Sequence, residues 1–203
     1  MNSRLGILIS GRGSNLRSIV EAVQSGAIAA SIGVVLSNRA DAPGLDIARS
    51  AGIEAMALSP RGFPDRDSYD TALADLLRQR DVGLVCLAGF MRLIGRPLVD
   101  AFPDRILNIH PSLLPSFPGL AAQKQALEHG VRVSGATVHL VTTELDGGPI
   151  IVQSAVPVLD GDTEETLSAR ILIEEHRLYP EAIRRWLKGG WRIEGRRFVA
   201  VSD

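Results

Sequence analysis

"RLGILISGRGSNLRSIVEAVQSG", residues 4–26, decides the fold class. An apolar run of strand length (4–10) meets a glycine-rich turn, and a segment of helical pattern (14–26) follows it. The alternation continues outward from there. "SIGVVLS" (31–37), "IEAMALS" (53–59), "VGLVCLAG" (82–89) and "RILNIH" (105–110) read as further strands. "APGLDIARSAG" (42–52) and "RDSYDTALADLLRQR" (66–80) read as helices, the second with Tyr69, Leu73, Leu76 and Leu77 on one face. Continuous Val/Ile/Leu strands separated by helices imply a parallel sheet covered on both faces. The expected fold is α/β, a doubly wound, mostly parallel sheet with ligands beyond the strands' carboxyl ends.

Past residue 130 the pattern changes. "VSGATVHLVT" (133–142) and "GPIIVQSAVPV" (149–158) flank the turn-rich "TELDGG" and read as two antiparallel strands. A long helix is expected next, with Thr163 as N-cap, acidic residues in its first turn, and a kink or break at Tyr179–Pro180. The tail "WRIEGRRFVAVSD" suits a short hairpin. With no repeat and no linker, a single domain over 1–203 is expected, its halves about 1–104 and 105–203.

Composition narrows the class. Hydrophobic residues make up 45% of the 203, and 22 Lys+Arg against 23 Asp+Glu leave a formal net charge of -1. That balance argues against broad nucleic-acid binding. The single cysteine, Cys86, allows no internal disulfide and sits in an apolar run, where it reads as a core thiol. The start has too short an apolar core for a signal peptide, and no stretch approaches about 18 apolar residues. A soluble, cytoplasmic protein is expected, with no membrane partner.

"SGRGSNL" (10–16) joins the first strand to the first helix. Gly11 and Gly13 permit a tight turn and a close approach to a ligand, and the amides of Ser14 and Asn15 at a helix N-terminus favour an anion. Leu16 stands where a dinucleotide fingerprint needs its third glycine, so a small phosphate suits the loop better. The same residues also suit an ordinary β–α turn with Ser14 as N-cap, and the loop alone does not choose.

Asn108 and His110 lie two apart at the end of an apolar strand, so they share a face. An asparagine amide and a histidinium could together hold a developing oxyanion, and a carboxylate would help to keep the histidine charged. Asp146 in "TELDGGPI" qualifies, with Glu144 as its rival. Asp146 also suits a plain turn. Among the other histidines, His129 reads as a helix C-terminal cap and His176 as structural. His139 is either a satisfied core residue or a pocket wall. No metal motif and no nucleophile elbow is present, so the expectation is no metal and no covalent intermediate.

These motifs, "ISGRGSNL", "LAGFMRL", "LNIHPSLLPSFPGL" and "VHLVTTELDGGPII", resemble the glycinamide ribonucleotide formyltransferase family from residue 5 to about 180. The resemblance implies transfer of the formyl group of 10-formyltetrahydrofolate to the amine of glycinamide ribonucleotide, in de novo purine biosynthesis. It implies direct attack through a tetrahedral intermediate, with Asn108, His110 and Asp146 as the catalytic trio and His110 protonated. It places the ribotide on Gly13, Ser14, Asn15 and Glu175. It places the folate on Arg66, Met91, Arg92, Leu93, Ile94 and Asn108, and on the loop Thr142, Thr143, Glu144, Leu145 and Asp146. Arg66 equally suits a solvated first-turn position. The two substrates are the implied partners, in a monomer or homodimer. One departure is visible: Ala121 stands where many members carry histidine, and Lys124 is the residue that could take over any electrostatic role.

Rivals share parts of the pattern. Methionyl-tRNA formyltransferase carries a further domain and a basic surface, and formyltetrahydrofolate deformylase a preceding regulatory domain. A silent ribotide or folate binder and a nicotinamide-dependent oxidoreductase are the readings from other classes.

Overall fold

The computed structural model describes residues 2–201. Contacts divide the chain into two compact units, Met1–Asn108 and Ile109–Asp203. The first contains β1 (Arg4–Ile9), α1 (Ser14–Gln24), β2 (Ser31–Ser37), α2 (Gly44–Ser50), β3 (Ala55–Ala57), α3 (Arg66–Arg78), β4 (Leu84–Leu87) and α4 (Arg96–Ala101). It ends within β5 (Ile106–His110).

Its strands lie in the order β3-β2-β1-β4-β5, and every neighbouring pair is parallel. The chain steps outward from β1 to β3, then returns past β1 to β4 and β5. Right-handed crossovers put α1 and α2 on one face and α3 and α4 on the other; accordingly α1 packs on α2 and α3 on α4. The reversal between β1 and β4 is where such sheets hold ligands. Leu5, Ile7, Leu8 and Ile9 of β1 are all 0% exposed, which explains an apolar run without alternation. Cys86 is buried in β4.

Two local expectations needed correction. β3 spans three residues of the expected seven, because it is an outer strand that pairs only with Val35–Ser37. α4 was not anticipated: six residues, begun by Gly95 with a proline in its first turn, are too few to show a helical period.

The second unit holds α5 (Ala122–Glu128), β6 (Val133–Leu140), β7 (Ile150–Pro157), α6 (Glu164–Lys188), β8 (Trp191–Glu194) and β9 (Arg197–Ala200). Its strand order is β6-β7-β9-β8, with β6/β7 and the β8/β9 hairpin antiparallel. Thr163 caps α6 as expected: its side chain accepts from the Thr166 amide at 3.3 Å, and Thr166 Oγ1 accepts from the Thr163 amide at 2.9 Å. Of the kink or break expected at Tyr179–Pro180, the break is absent: α6 continues through the proline. A helix-interior proline costs about 3 kcal/mol. Tyr179 and Ile183 beside it are both 0% exposed, and burying two such side chains returns roughly as much or more. Among the described residues no helix is long and apolar enough to cross a membrane.

Candidate active site

The glycine loop is built by close backbone contact. Gly13 has φ 75°, and a Cβ there would sit 2.8 Å from Gly44 Cα at the start of α2. Both the left-handed backbone and the absent side chain are therefore required. The Gly44 amide donates to the Gly11 carbonyl at 3.0 Å, tying loop to helix. A Cβ on Gly11 would meet nothing within 4 Å, so the loop is open on that side. Gly13, not Ser14, is the N-cap of α1; it offers no side-chain cap, and no acidic residue lies in the first turn. The N-terminal amides thus keep their preference for an anion. Leu16, 0% exposed, is core packing.

Asn108 and His110 lie two apart in β5 and project to the same face. His110 is 5% exposed. Its Nε2 donates to the Phe117 carbonyl at 2.8 Å, and its Nδ1 lies 3.5 Å from Asp146 Oδ2. The other carboxylate oxygen, Oδ1, lies 3.6 Å from Nε2 of His139. His139 is 2% exposed and directs Nδ1 at the Leu140 carbonyl, 2.8 Å away. A carbonyl only accepts, so in each ring the nitrogen turned away from Asp146 carries a proton. A proton on the nitrogen that faces Asp146 makes a charge-assisted hydrogen bond to the carboxylate.

The surrounding backbone is unusual for its residue types. Phe117, Ala121 and Asp146 all have positive φ, at 54°, 55° and 49°. Such conformations in non-glycine residues gather at functional sites. The Gly119 amide donates to Asp146 Oδ2 at 2.8 Å, fixing the carboxylate. Thr137 Oγ1 donates to the Ser112 carbonyl at 2.6 Å and accepts from the Leu114 amide at 3.1 Å. Gln153 Nε2 donates to both the Leu114 carbonyl and Thr137 Oγ1, each at 2.9 Å. The segment after His110 is thereby pinned to β6 and β7.

Burial holds the His110 imidazole below the ordinary histidine value, outweighing the Phe117 carbonyl and the Asp146 carboxylate, which favour its charged form. Burial would raise the Asp146 carboxyl, but the His139 ring, the Gly119 amide and His110 together bring it below the usual carboxylate value. The stability consequences fall in separate pH windows. Below about pH 6.5, the unfolded chain protonates His110 before the folded one does, so stability falls as pH drops toward the folded value. The Asp146 contribution persists to lower pH and is lost only as pH falls through its own depressed value. Urea titrations of the wild type and His110→Asn from pH 8 to 5 test the first window. The wild type should lose more stability over that range, and parallel curves would contradict the assignment.

The rival carboxylate is placed elsewhere. Glu144 is 69% exposed and lies 3.7 Å from Arg196, whereas Asp146 is 9% exposed. Thr142, Thr143 and Leu145 belong to the same surface turn, where Thr142 Oγ1 accepts from the Glu144 amide at 3.3 Å. Glu175 is a carboxylate of α6 that is only 8% exposed. His129 ends α5, its Nδ1 donating to the Gln125 carbonyl at 2.9 Å, as a C-terminal cap should. His176 lies half-buried within α6. Lys124 faces Glu128 at 3.8 Å on the surface of α5, and Ala121 is that helix's N-cap.

In the first unit, Met91 and Leu93 are 68% and 59% exposed, an uncommon display of large apolar side chains. Between them, the Arg92 guanidinium covers the Tyr69 ring at 5.0 Å, and its buried Nε has no hydrogen-bond partner. Ile94 is half-buried, and Arg66 is exposed at the start of α3. Asp70 was not anticipated. Its carboxylate, 1% exposed, accepts from the Gly95 amide at 2.5 Å and holds the end of the 91–95 segment. Burial raises its pKa, with Gly95 opposing. A tyrosine, an aspartate and a glycine spread over two elements leave no linear motif.

The chain matches the formyl transferase family over residues 3–183. It belongs to that family. Among relatives, it is 45% identical to the phosphoribosylglycinamide formyltransferase of Escherichia coli K12, over 94% of this chain and 87% of that protein. It is 48% identical to the trifunctional purine biosynthetic protein adenosine-3 of Drosophila pseudoobscura pseudoobscura, over 93% of this chain. It spans only 14% of that protein, and 20% of the Bos taurus counterpart to which it is 44% identical over 99% of its own length. Among solved structures, the glycinamide ribonucleotide transformylase 1 of Symbiobacterium toebii superposes with a TM-score of 0.97 at 57% identity, covering 99% of this chain and 95% of that one. Phosphoribosylglycinamide formyltransferase from Anaplasma phagocytophilum gives 0.90 at 42%, covering 100% and 96%. The fold class expected for the family is the one observed.

Proposed function

We propose that the protein is a cytoplasmic enzyme that transfers the formyl group of 10-formyltetrahydrofolate to the amine of glycinamide ribonucleotide, in de novo purine biosynthesis. The products are formylglycinamide ribonucleotide and tetrahydrofolate. One observation carries the reading: a single carboxylate, Asp146, faces two buried imidazoles at the end of the strand that bears Asn108. Such a group can take up and return a proton without forming a covalent bond.

The amine attacks the formyl carbon and negative charge develops on the formyl oxygen. The Asn108 amide and the His110 N–H stabilise it through the tetrahedral intermediate. In this structure the Nε2 proton of His110 goes to the Phe117 carbonyl, so an oxyanion that receives that proton takes the carbonyl's place. Asp146 supports the charged ring and moves a proton from the incoming amine toward the departing folate nitrogen. The phosphate of the ribotide suits the amides of Gly13, Ser14 and Asn15, and Glu175 suits its ribose hydroxyls. In the first unit the exposed Met91 and Leu93, with Ile94, suit the folate's apolar parts, and Arg92 Nε and Arg66 suit a carboxylate; in the second, the turn Thr142–Asp146 suits the pterin.

The test is one assay: purified protein and a 10-formyltetrahydrofolate analogue, with and without glycinamide ribonucleotide, following folate release. Release that depends on the ribotide, with formylated ribotide as product, is expected. Release without ribotide, yielding formate, would identify a deformylase. No release with both ligands bound would identify a binding protein.

A further inference from the structure

Ser10 is the last residue before the glycine loop and is 6% exposed. Its hydroxyl accepts from the Met91 amide at 2.8 Å, at the start of the 91–94 segment beyond β4. An amide can only donate there, so the hydroxyl's one proton goes elsewhere: to Asn38 Oδ1, 2.6 Å away, beyond β2. Its own amide donates to the Gly89 carbonyl at 3.1 Å. A single residue therefore joins three strand ends around the reversal in strand order. Gly11 continues from it into the loop on one side, and Met91 is fixed by it on the other.

We propose that Ser10 is a positioning residue that sets the glycine loop and the 91–94 segment in one geometry, so that affinity for the ribotide and for the folate depends on the same hydroxyl. This rests on the function proposed above. The hydroxyl acts through its bonds to the Met91 amide and Asn38. Its removal leaves the Met91 amide without its acceptor and Asn38 without its donor, loosening the 91–94 segment from the strand end that leads into the glycine loop. A group that merely filled core space would affect stability and neither substrate.

Steady-state kinetics with both substrates varied, alongside thermal melting, separate these roles in Ser10→Ala, Ser10→Thr and Asn38→Ala. Ser10→Ala is expected to raise KM for ribotide and folate together, by about 5–15-fold each, the scale of one lost hydrogen bond. kcat should change less, and Ser10→Thr, which keeps the hydroxyl, should return both KM values toward wild type. A lower melting temperature with unchanged KM values, or a rise for one substrate alone, would overturn the inference. Should Ser10→Ala not fold, Asn38→Ala decides: both KM values rise by a smaller factor, or the inference fails. Absence of ribotide-dependent transfer by the wild type would sink the proposed function and this inference with it. Wild-type transfer with unshifted variants would sink the inference alone.

Discussion

Asp146→Asn is expected to lower turnover by about 10²-fold or more, the scale of losing one oxyanion-stabilising group, while both substrates still bind. The substitution is close to isosteric. An asparagine oxygen can still accept from the Gly119 amide, and asparagine tolerates the positive φ of 49° at this position. The variant should therefore fold. What disappears is the negative charge opposite His110 Nδ1 and His139 Nε2. Burial already disfavours a charged His110, so without Asp146 the imidazolium loses the carboxylate that offsets its burial and keeps only the neutral Phe117 carbonyl among the described groups that favour it. Single-turnover formyl transfer, with equilibrium dialysis of each substrate, separates chemistry from binding. Near-normal turnover would remove Asp146 from the mechanism, and lost binding would move its role to recognition.

Gly13→Ala should raise the ribotide KM by about 10²-fold, the order reached when a bound group is displaced by about 1 Å. Two physical effects add. A left-handed backbone costs a residue with a Cβ about 1–2 kcal/mol. The new methyl would also lie 2.8 Å from Gly44 Cα, a backbone atom that cannot swing aside. The loop or the start of α2 must shift, and with it the amides of Ser14 and Asn15. Gly11→Ala is the matched comparison: its Cβ would meet nothing within 4 Å, so its melting temperature should stay near wild type. Equal melting temperatures for the two variants would refute the steric account, and a normal ribotide KM in Gly13→Ala would remove the loop from phosphate binding.

The order of strands and helices was legible because buried parallel strands show as unbroken apolar runs and Thr163 announces its helix. Short or packing-dependent features were not. α4 is too brief to show a period, and continuity through Pro180 depends on what Tyr179 and Ile183 bury. At the site, the spacing of Asn108 and His110 declared a shared face, since strand geometry alone fixes it. The choice between Glu144 and Asp146 needed the turn's actual path. His139 was left open because alternation along "ATVHLV" cannot show where the β6/β7 register slips, and it does so between Val138 and His139. The Phe117 carbonyl was beyond reach, because every residue has one. The balance at His110 is out of reach for a related reason: a carboxylate partner can be guessed from sequence, whereas the depth of burial that opposes it cannot.

β6 serves two tasks with residues two apart, Thr137 pinning the segment after His110 and His139 facing Asp146. Both side chains are almost wholly buried, and the strand is paired with β7 from Val133 to His139. Buried, fully paired strands open to hydrogen exchange only in the largest unfolding events. Thr137 and His139, which hold the segment after His110 and face Asp146, are thus mounted on a slowly exchanging part of their unit, not on a fraying edge. On heating, inactivation should coincide with global melting and show no earlier phase of its own.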